Sequence, residues 1–206
     1  NSTEDSLGFA VSYDGGASWS NETNRKVNMN GIRTSSLING IRMNGFPRID
    51  VDRSGGSRNG WIYVVTAEKT VAPATDVSDV ILHKSTNGGL NWTSSRVNQD
   101  AAGNGKYQYM PAVRVDEYGG VNINYYDTRN IPTNDSAQIY VSRSIDGGNT
   151  WSEILVSDHK FMPKPISGLA TGYQGDYIGI TSGNGKIWPY WAEDITGSYQ
   201  AWIASI

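Results

Sequence analysis

Ser12-Tyr13-Asp14-Gly15-Gly16-Ala17-Ser18-Trp19 recurs as Ser85-Thr86-Asn87-Gly88-Gly89-Leu90-Asn91-Trp92 and as Ser144-Ile145-Asp146-Gly147-Gly148-Asn149-Thr150-Trp151. A stretch used three times is a structural unit, and its spacing sets the architecture before any site is considered. In each copy a short acid or amide (Asp14, Asn87, Asp146) can bond nearby backbone N–H groups, while the paired glycines supply the positive φ of a tight turn. The closing tryptophan (Trp19, Trp92, Trp151) is expected to staple each hairpin into its sheet.

A longer unit extends outward from these turns. Phe46-Pro47-Arg48-Ile49-Asp50-Val51-Asp52 matches Met110-Pro111-Ala112-Val113-Arg114-Val115-Asp116, and Trp61-Ile62-Tyr63-Val64-Val65-Thr66-Ala67-Glu68 matches Gly120-Val121-Asn122-Ile123-Asn124-Tyr125-Tyr126-Asp127. A third unit starts at Gly175, with Asp176-Tyr177-Ile178-Gly179-Ile180 as its first strand and residues 187–193 as its second. Third strands follow at 79–84, 137–143 and 199–205, and the first two run through a repeated turn into a fourth strand. Four-stranded antiparallel blades of this kind build a β-propeller. Residues 1–20 then end one blade, 46–98 and 110–157 form full blades, and 175–206 carry the inner strands of a last one. Such a set does not close a ring alone, so the missing blades are expected from the same parent protein or from a second copy in a homodimer.

The turn motif resembles the Asp box, Ser-x-Asp-x-Gly-x-Thr-Trp, of bacterial sialidases (neuraminidases) and their BNR-repeat propeller relatives. Residues 144–151 match every fixed position. Ser18 replaces the usual threonine in the first copy, and Asn87 and Asn91 replace aspartate and threonine in the second. The resemblance implies an all-β, Asp-box segment of a six-bladed sialidase-like propeller. It also implies that the boxes lie away from substrate, so they identify the family and not the activity.

Composition bounds the remaining classes. With 12 Tyr, 7 Trp and 24 Gly in 206 residues, the chain reads as all-β with many tight turns. A formal net charge of −3 and the lack of a Lys/Arg run argue against a nucleic-acid partner. No apolar stretch reaches membrane-spanning length. The absence of cysteine removes thiol catalysis, disulfides and cysteine-ligated metal. His83 and His159 form no recognisable metal pattern, and the oxygen-rich run Asp127, Asn130, Asn134, Asp135 does not match a known cation loop. No metal or other cofactor is therefore expected. The chain does not open on a signal peptide, which is read as a leader already removed from a longer polypeptide. Sequons at Asn1, Asn21, Asn91 and Asn134 arise readily in so Asn- and Ser-rich a chain.

In an antiparallel meander, second-to-third turns and blade crossings share the face opposite the repeated turns. The functional face is thus expected from residues 21–45, 68–78, 99–109, 127–136, 158–174 and 193–198. Glu68, Asp127 and Glu193 fall at matched ends of second strands, where they serve either glycosidic acid/base work or a structural role, capping the loop backbone or pairing with Lys69 or Arg129. Tyr126, Asp127 and Arg129 combine an aromatic face with a guanidinium suited to a carboxylate. Arg48 lies in Phe46-Pro47-Arg48-Ile49, which differs in order from the Phe/Tyr-Arg-Ile-Pro arginine motif of sialidases, and an inter-blade pair with Asp50 is its alternative. Asp176 is placed near the channel mouth.

The resemblance further implies, for an active sialidase, a nucleophilic tyrosine with a glutamate and an aspartate acid/base. Tyr107, Tyr109, Tyr173 and Tyr177 lie in or beside functional-face loops, but no complete catalytic set is visible. Three readings follow: a secreted or cell-surface sialidase-like propeller that recognises glycan or another extracellular ligand; part of a retaining exo-sialidase completed by missing blades; or a structural or adhesive module of a large surface protein.

Overall fold

The structure, a computed structural model, describes residues 4–20, 26–32, 38–69 and 77–206. The sequons Asn1 and Asn21, and parts of the predicted loops 21–45 and 68–78, lie outside the described residues. All regular elements are strands, in four antiparallel sheets. A pair, β1 (Ser6–Gly8) and β2 (Lys26–Asn28), comes first. Two four-stranded meanders follow: β3 (Arg48–Val51), β4 (Ile62–Glu68), β5 (Asp79–Ser85) and β6 (Thr93–Arg96), then β7 (Gln108–Val115), β8 (Val121–Asp127), β9 (Gln138–Ser144) and β10 (Ser152–Leu155). β11 (Gly179–Gly183), β12 (Lys186–Glu193) and β13 (Gln200–Ile203) form the last sheet. This is the all-β, partial β-propeller arrangement that the repeat predicts.

Sequence dictates which strands are innermost to the packing. β4 and β8 are buried at every position, which suits their runs of β-branched and aromatic residues between two covered faces. Tyr63, Val65, Leu82, Val113, Ile123 and Tyr125 fill the layer between the two full sheets. Tyr109, Tyr126, Ile139, Ile178 and Trp191 belong to a second cluster, which also takes in Ile38, Ile41 and Met43 of the loop before β3. Burial of each large side chain contributes about 1.5–3 kcal/mol, so these two layers fix how the sheets stand against one another.

The repeated turns close by the bonding their sequence predicts. In the third, Gly148 N–H donates to Ser144 Oγ at 2.7 Å, while the Thr150 N–H and hydroxyl donate to Asp146 at 3.0 and 2.6 Å. The first repeats this through Ser12, Asp14 and Ser18. In the second, Asn91 N–H donates to Asn87 Oδ1 at 2.9 Å. Hydroxyl and amide donors hold Asp14 and Asp146 far below the ordinary carboxylate range, with the Ser18 and Thr150 hydroxyls the largest causes.

Two glycines show how neighbouring sheets interlock. Gly89 and Gly148 adopt φ of 84° and 85°. A Cβ on Gly89 would lie 2.2 Å from the Phe9 ring, and one on Gly148 would lie 2.4 Å from Leu82 Cδ2. Each turn thus accepts an apolar side chain from the preceding sheet, and Phe9 also meets Trp92 edge-on at 5.2 Å.

Three expectations need correction. Trp19 does not staple its hairpin: it is 65% exposed, because no sheet precedes β1 among the described residues to supply the covering side chain. The first strand of the last unit begins at Gly179 rather than Asp176, so Asp176 lies in the loop before β11. The Pro47 and Pro111 positions also behave differently. β3 starts only after Pro47, whereas β7 runs through Pro111 by means of a register shift between Tyr109 and Ala112, with Met110 at φ 49°. Proline has no N–H for the ladder, which makes an irregularity at that point the local solution.

Candidate functional site

Most of the acids and bases singled out in the sequence are already satisfied within the fold. Glu68 is buried at the end of β4, where it bonds His83 Nε2 at 2.7 Å, the Thr66 hydroxyl at 2.6 Å and Asn30 N–H at 2.9 Å. Desolvation raises its pKa, but these donors outweigh it and hold the carboxyl below its ordinary value. At the matched position on β8, Asp127 accepts Arg129 Nε at 2.7 Å. Arg129 also clamps Glu153 through both terminal nitrogens and lies over the Tyr140 ring at 4.2 Å. Burial disfavours its charge, yet Glu153 and Asp127 outweigh that and lock the guanidinium in its charged form. Burial raises Asp127 against the opposing pull of Arg129. Glu193, at the end of β12, is fully buried and bonds His159 Nε2 at 2.6 Å and the Trp191 indole N–H at 2.8 Å.

Within the fold, Asp127 and Arg129 form a buried ion pair, and Glu68 and Glu193 are hydrogen-bonded to His83 and His159. Tyr126 is buried, stacks on Tyr109 at 4.9 Å and donates its hydroxyl to Ala192 C=O at 2.7 Å. Tyr109 is fully buried too, and desolvation lifts its phenol well above the ordinary value. Tyr107 donates its backbone N–H to Thr128. The oxygen-rich run is dispersed, with Asn130 bonding Gln138 and Tyr140 while Asn134 accepts Lys106 Nζ. Among the described residues no group of three or more His, Asp or Glu side chains is arranged to hold a metal.

A different set remains open. Loop 38–45 packs on the loop before β11 through Arg42 N–H to Gly172 C=O at 2.6 Å. This contact brings Arg42, Asn44 and Arg48 to Tyr173, Asp176 and Tyr177. Arg48 lies over the Tyr177 ring at 3.9 Å and Arg42 over the Tyr173 ring at 5.3 Å. Asp176 Oδ1 stands 3.7 Å from Arg42 Nη2 and accepts Asn44 Nδ2 at 3.5 Å. Phe46 tilts against Tyr177 at 6.4 Å. The Arg42 side chain is 53% exposed and Tyr177 is 56% exposed, so both have free surface. Within this cluster two guanidiniums face one carboxylate, leaving it net positive. The charge of Asp176 is the largest cause of a raised pKa at the Tyr173 phenol.

Below the cluster, Pro47, Arg48, Ala112, Ile178, Gly179 and Tyr190 line a cavity of about 320 Å³ along the inner strands. Gly179 stands opposite Tyr190 in the ladder, and a Cβ there would meet the Tyr190 ring at 2.2 Å. That glycine lets an aromatic side chain reach across the first strand. The Gln174 amide, in the same loop as Tyr173, is buried with neither polar atom partnered. Sequence reasoning singled out Arg48, Tyr173, Asp176 and Tyr177 separately but missed Arg42 and Asn44. The run Gly172-Tyr173-Gln174-Gly175-Asp176-Tyr177, dense in aromatic and polar residues between glycines, was the available signal.

No protein-family model and no curated protein matches the sequence. Solved structures do. The chain is similar to an α-L-arabinanase of Penicillium chrysogenum, solved with arabinobiose, at 18% identity and TM-score 0.57, covering 78% of this chain and 45% of that one. It is similar to an α-L-arabinofuranosidase of Fusarium graminearum at 17% identity and TM-score 0.53, covering 78% and 44%. A protein of unknown function from Dyadobacter fermentans matches at 18% identity and TM-score 0.51, covering 94% and 46%. The likeness shows the fold, a β-propeller, and this chain spans less than half the length of each of these three structures.

Proposed function

We propose that the chain is the glycan-recognising part of a sialidase-like propeller, taking an acidic sugar at the Arg42, Arg48, Tyr173, Asp176 and Tyr177 cluster. One observation carries this reading: two partly exposed guanidiniums, each backed by a tyrosine ring, converge beside a cavity on the inner strands. Guanidinium recognises carboxylate bidentately, and aromatic faces suit the apolar face of a pyranose. Asp176 and Asn44 add acceptors and donors for sugar hydroxyls. Asp-box turns and the likeness to glycoside hydrolases support the same class, although one superfold hosts many functions. Further blades, from the parent protein or a second copy, would complete the ring around this cluster. An extracellular or cell-surface location follows from the substrate class, and among the described residues no helix is long and apolar enough to cross a membrane.

The retaining-hydrolase reading is favoured by the Tyr173 and Asp176 pair alone. A phenol whose pKa is raised is a poor nucleophile until a base takes its proton, so Asp176 would have to serve as that base. Recognition asks less of these residues. The adhesive-module reading predicts no convergent cluster and no response to free sugar. Titration calorimetry with a sialyl-oligosaccharide tests the proposal: Arg48→Ala is expected to weaken binding by about tenfold or more, in line with about 1.5–3 kcal/mol for a charge-assisted bond. Equal affinity in both proteins would remove the cluster from recognition.

A further inference from the structure

Neighbouring sheets interlock at one repeated position. Phe9 and Leu82 each stand three residues before the serine that opens their turn, Ser12 and Ser85, and each fills the space beside a glycine of the following turn, Gly89 and Gly148. Val141 takes that position on β9 and is fully buried. The ladder register carries the series into the last sheet. Leu82 and Val141 stand opposite Val65 and Asn124, three residues before the strand-end acids Glu68 and Asp127, while Ile203 stands opposite Tyr190, three residues before Glu193. Ile203 is therefore the next member of the series. Unlike Leu82 and Val141, it is 67% exposed.

Ile203 is not an isolated exposed side chain. Cross-strand partners project from the same face of a sheet, and Tyr190 beside it is exposed as well. Trp202, one residue earlier, turns to the other face, where it packs on the core cluster and against His159. The first turn of the chain presents the complementary half of the contact. Gly16 adopts φ of 94°, and a Cβ on it would meet only Trp19, at 4.0 Å. Trp19 is exposed, whereas Trp92 at the same place in the second turn is covered edge-on by Phe9. The last sheet thus offers an inserting side chain, and the first sheet offers a receiving turn.

We propose that Ile203 docks beside Gly16 and Trp19 of a second copy of this chain, stacking the last sheet of one copy on the first sheet of the next. The occupant follows from the chemistry of the two filled contacts. Each of them needs a paired-glycine turn closed by tryptophan, and this chain itself presents such a turn open at Gly15, Gly16 and Trp19. Isoleucine brings the same class of apolar side chain as the leucine and phenylalanine already received within the molecule. The two surfaces differ, so the contact is heterologous: a copy that inserts Ile203 keeps its own turn available to another, which closes a ring or builds an open stack. The inference rests on the reading of the chain as a propeller segment and not on the Arg42 and Arg48 cluster, so self-association and sugar binding fail separately.

Sedimentation equilibrium across a concentration series, joined to directed cross-linking, tests the contact. The chain should associate at concentrations up to about 0.1 mM. Ile203→Asp, which forces a carboxylate into an apolar contact, should weaken association about tenfold or more, and Trp19→Ala should act in the same direction. Both residues are exposed, so the melting temperature should stay in place. Within the molecule Lys84, two residues after Leu82, reaches the Asn149 side chain beside Gly148 at 2.9 Å. The matching positions of the proposed contact are Ser205 and Ala17, and the chain has no cysteine of its own. A short bis-maleimide should therefore join Ser205→Cys to Ala17→Cys in a mixture of the two variants, in preference to joining like with like. A single-chain mass throughout the series, unchanged association in Ile203→Asp, or preferential joining of like variants would overturn the second-copy assignment.

Discussion

Two regions of the same face carry similar residues and treat them in opposite ways. Around Arg129, the guanidinium is 13% exposed, is clamped by Asp127 and Glu153, and is covered by Tyr140. Around Arg42 and Arg48, the guanidiniums lie on tyrosine rings with their outer edges free, and the one acid at hand stands at 3.7 Å from Arg42. Both regions combine arginine, tyrosine and aspartate, so composition does not separate them. Closure does: a guanidinium whose donors are consumed within the fold ties sheet edges together, while one with free donors is available to a carboxylate from outside.

The largest effect that sharpens this contrast is expected at Arg129. Arg129→Ala would leave Asp127 and Glu153 buried without a counter-charge, at a cost of about 3–5 kcal/mol. Thermal unfolding should therefore shift down by about 6–20 °C for a chain of this size. A shift within a degree or two would mean that the network is not structural. Arg48→Ala is the opposite case: removing a partly exposed cation should change the melting temperature little while acid-sugar affinity falls about tenfold. A variant that loses both together would break the distinction.

A pH series tests the closed side more finely. Donors from Arg129, Gln99 N–H and Tyr125 outweigh desolvation and keep Glu153 below the ordinary carboxylate value. Its contribution is therefore present above the unfolded value and is lost as pH falls through the lowered folded one. His159 runs the other way. Desolvation opposes its charge, but Asp158 and Glu193 outweigh this and raise its pKa above 6.5. Its stabilisation is fully present below that value and disappears as pH rises through the raised folded one. Denaturant unfolding of His159→Gln should lose the alkaline part of this dependence and keep the acidic part. An unchanged alkaline slope would mean that His159 does not link the crossing loop to Glu193.

The fold was legible because its determinants are local. Ser144, Asp146, Gly148 and Thr150 close their turn among themselves, so eight residues of sequence suffice to recognise it. The matched acids were legible as positions but not as roles. The partner of Glu68 is His83, on the next strand, and that of Arg129 is Glu153, two strands further on. Neither pairing follows from a periodic pattern. Arg42 was the least legible residue of all: it reaches Asp176 only because loop 38–45 packs across the loop before β11. Trp19 shows the complementary limit, since it closes the same kind of turn as Trp92 and the neighbouring sheet decides whether it is covered.

The most direct measurement is titration calorimetry of the chain with N-acetylneuraminic acid against its methyl ester, which keeps the sugar and removes the charge. Guanidinium recognition at Arg42 and Arg48 predicts binding of the free acid, a loss of about tenfold or more for the ester, and a loss of the difference between the two in Arg42→Ala/Arg48→Ala. Equal affinity for acid and ester, or an acid preference that survives the double substitution, would contradict the assignment of this open cluster as the site.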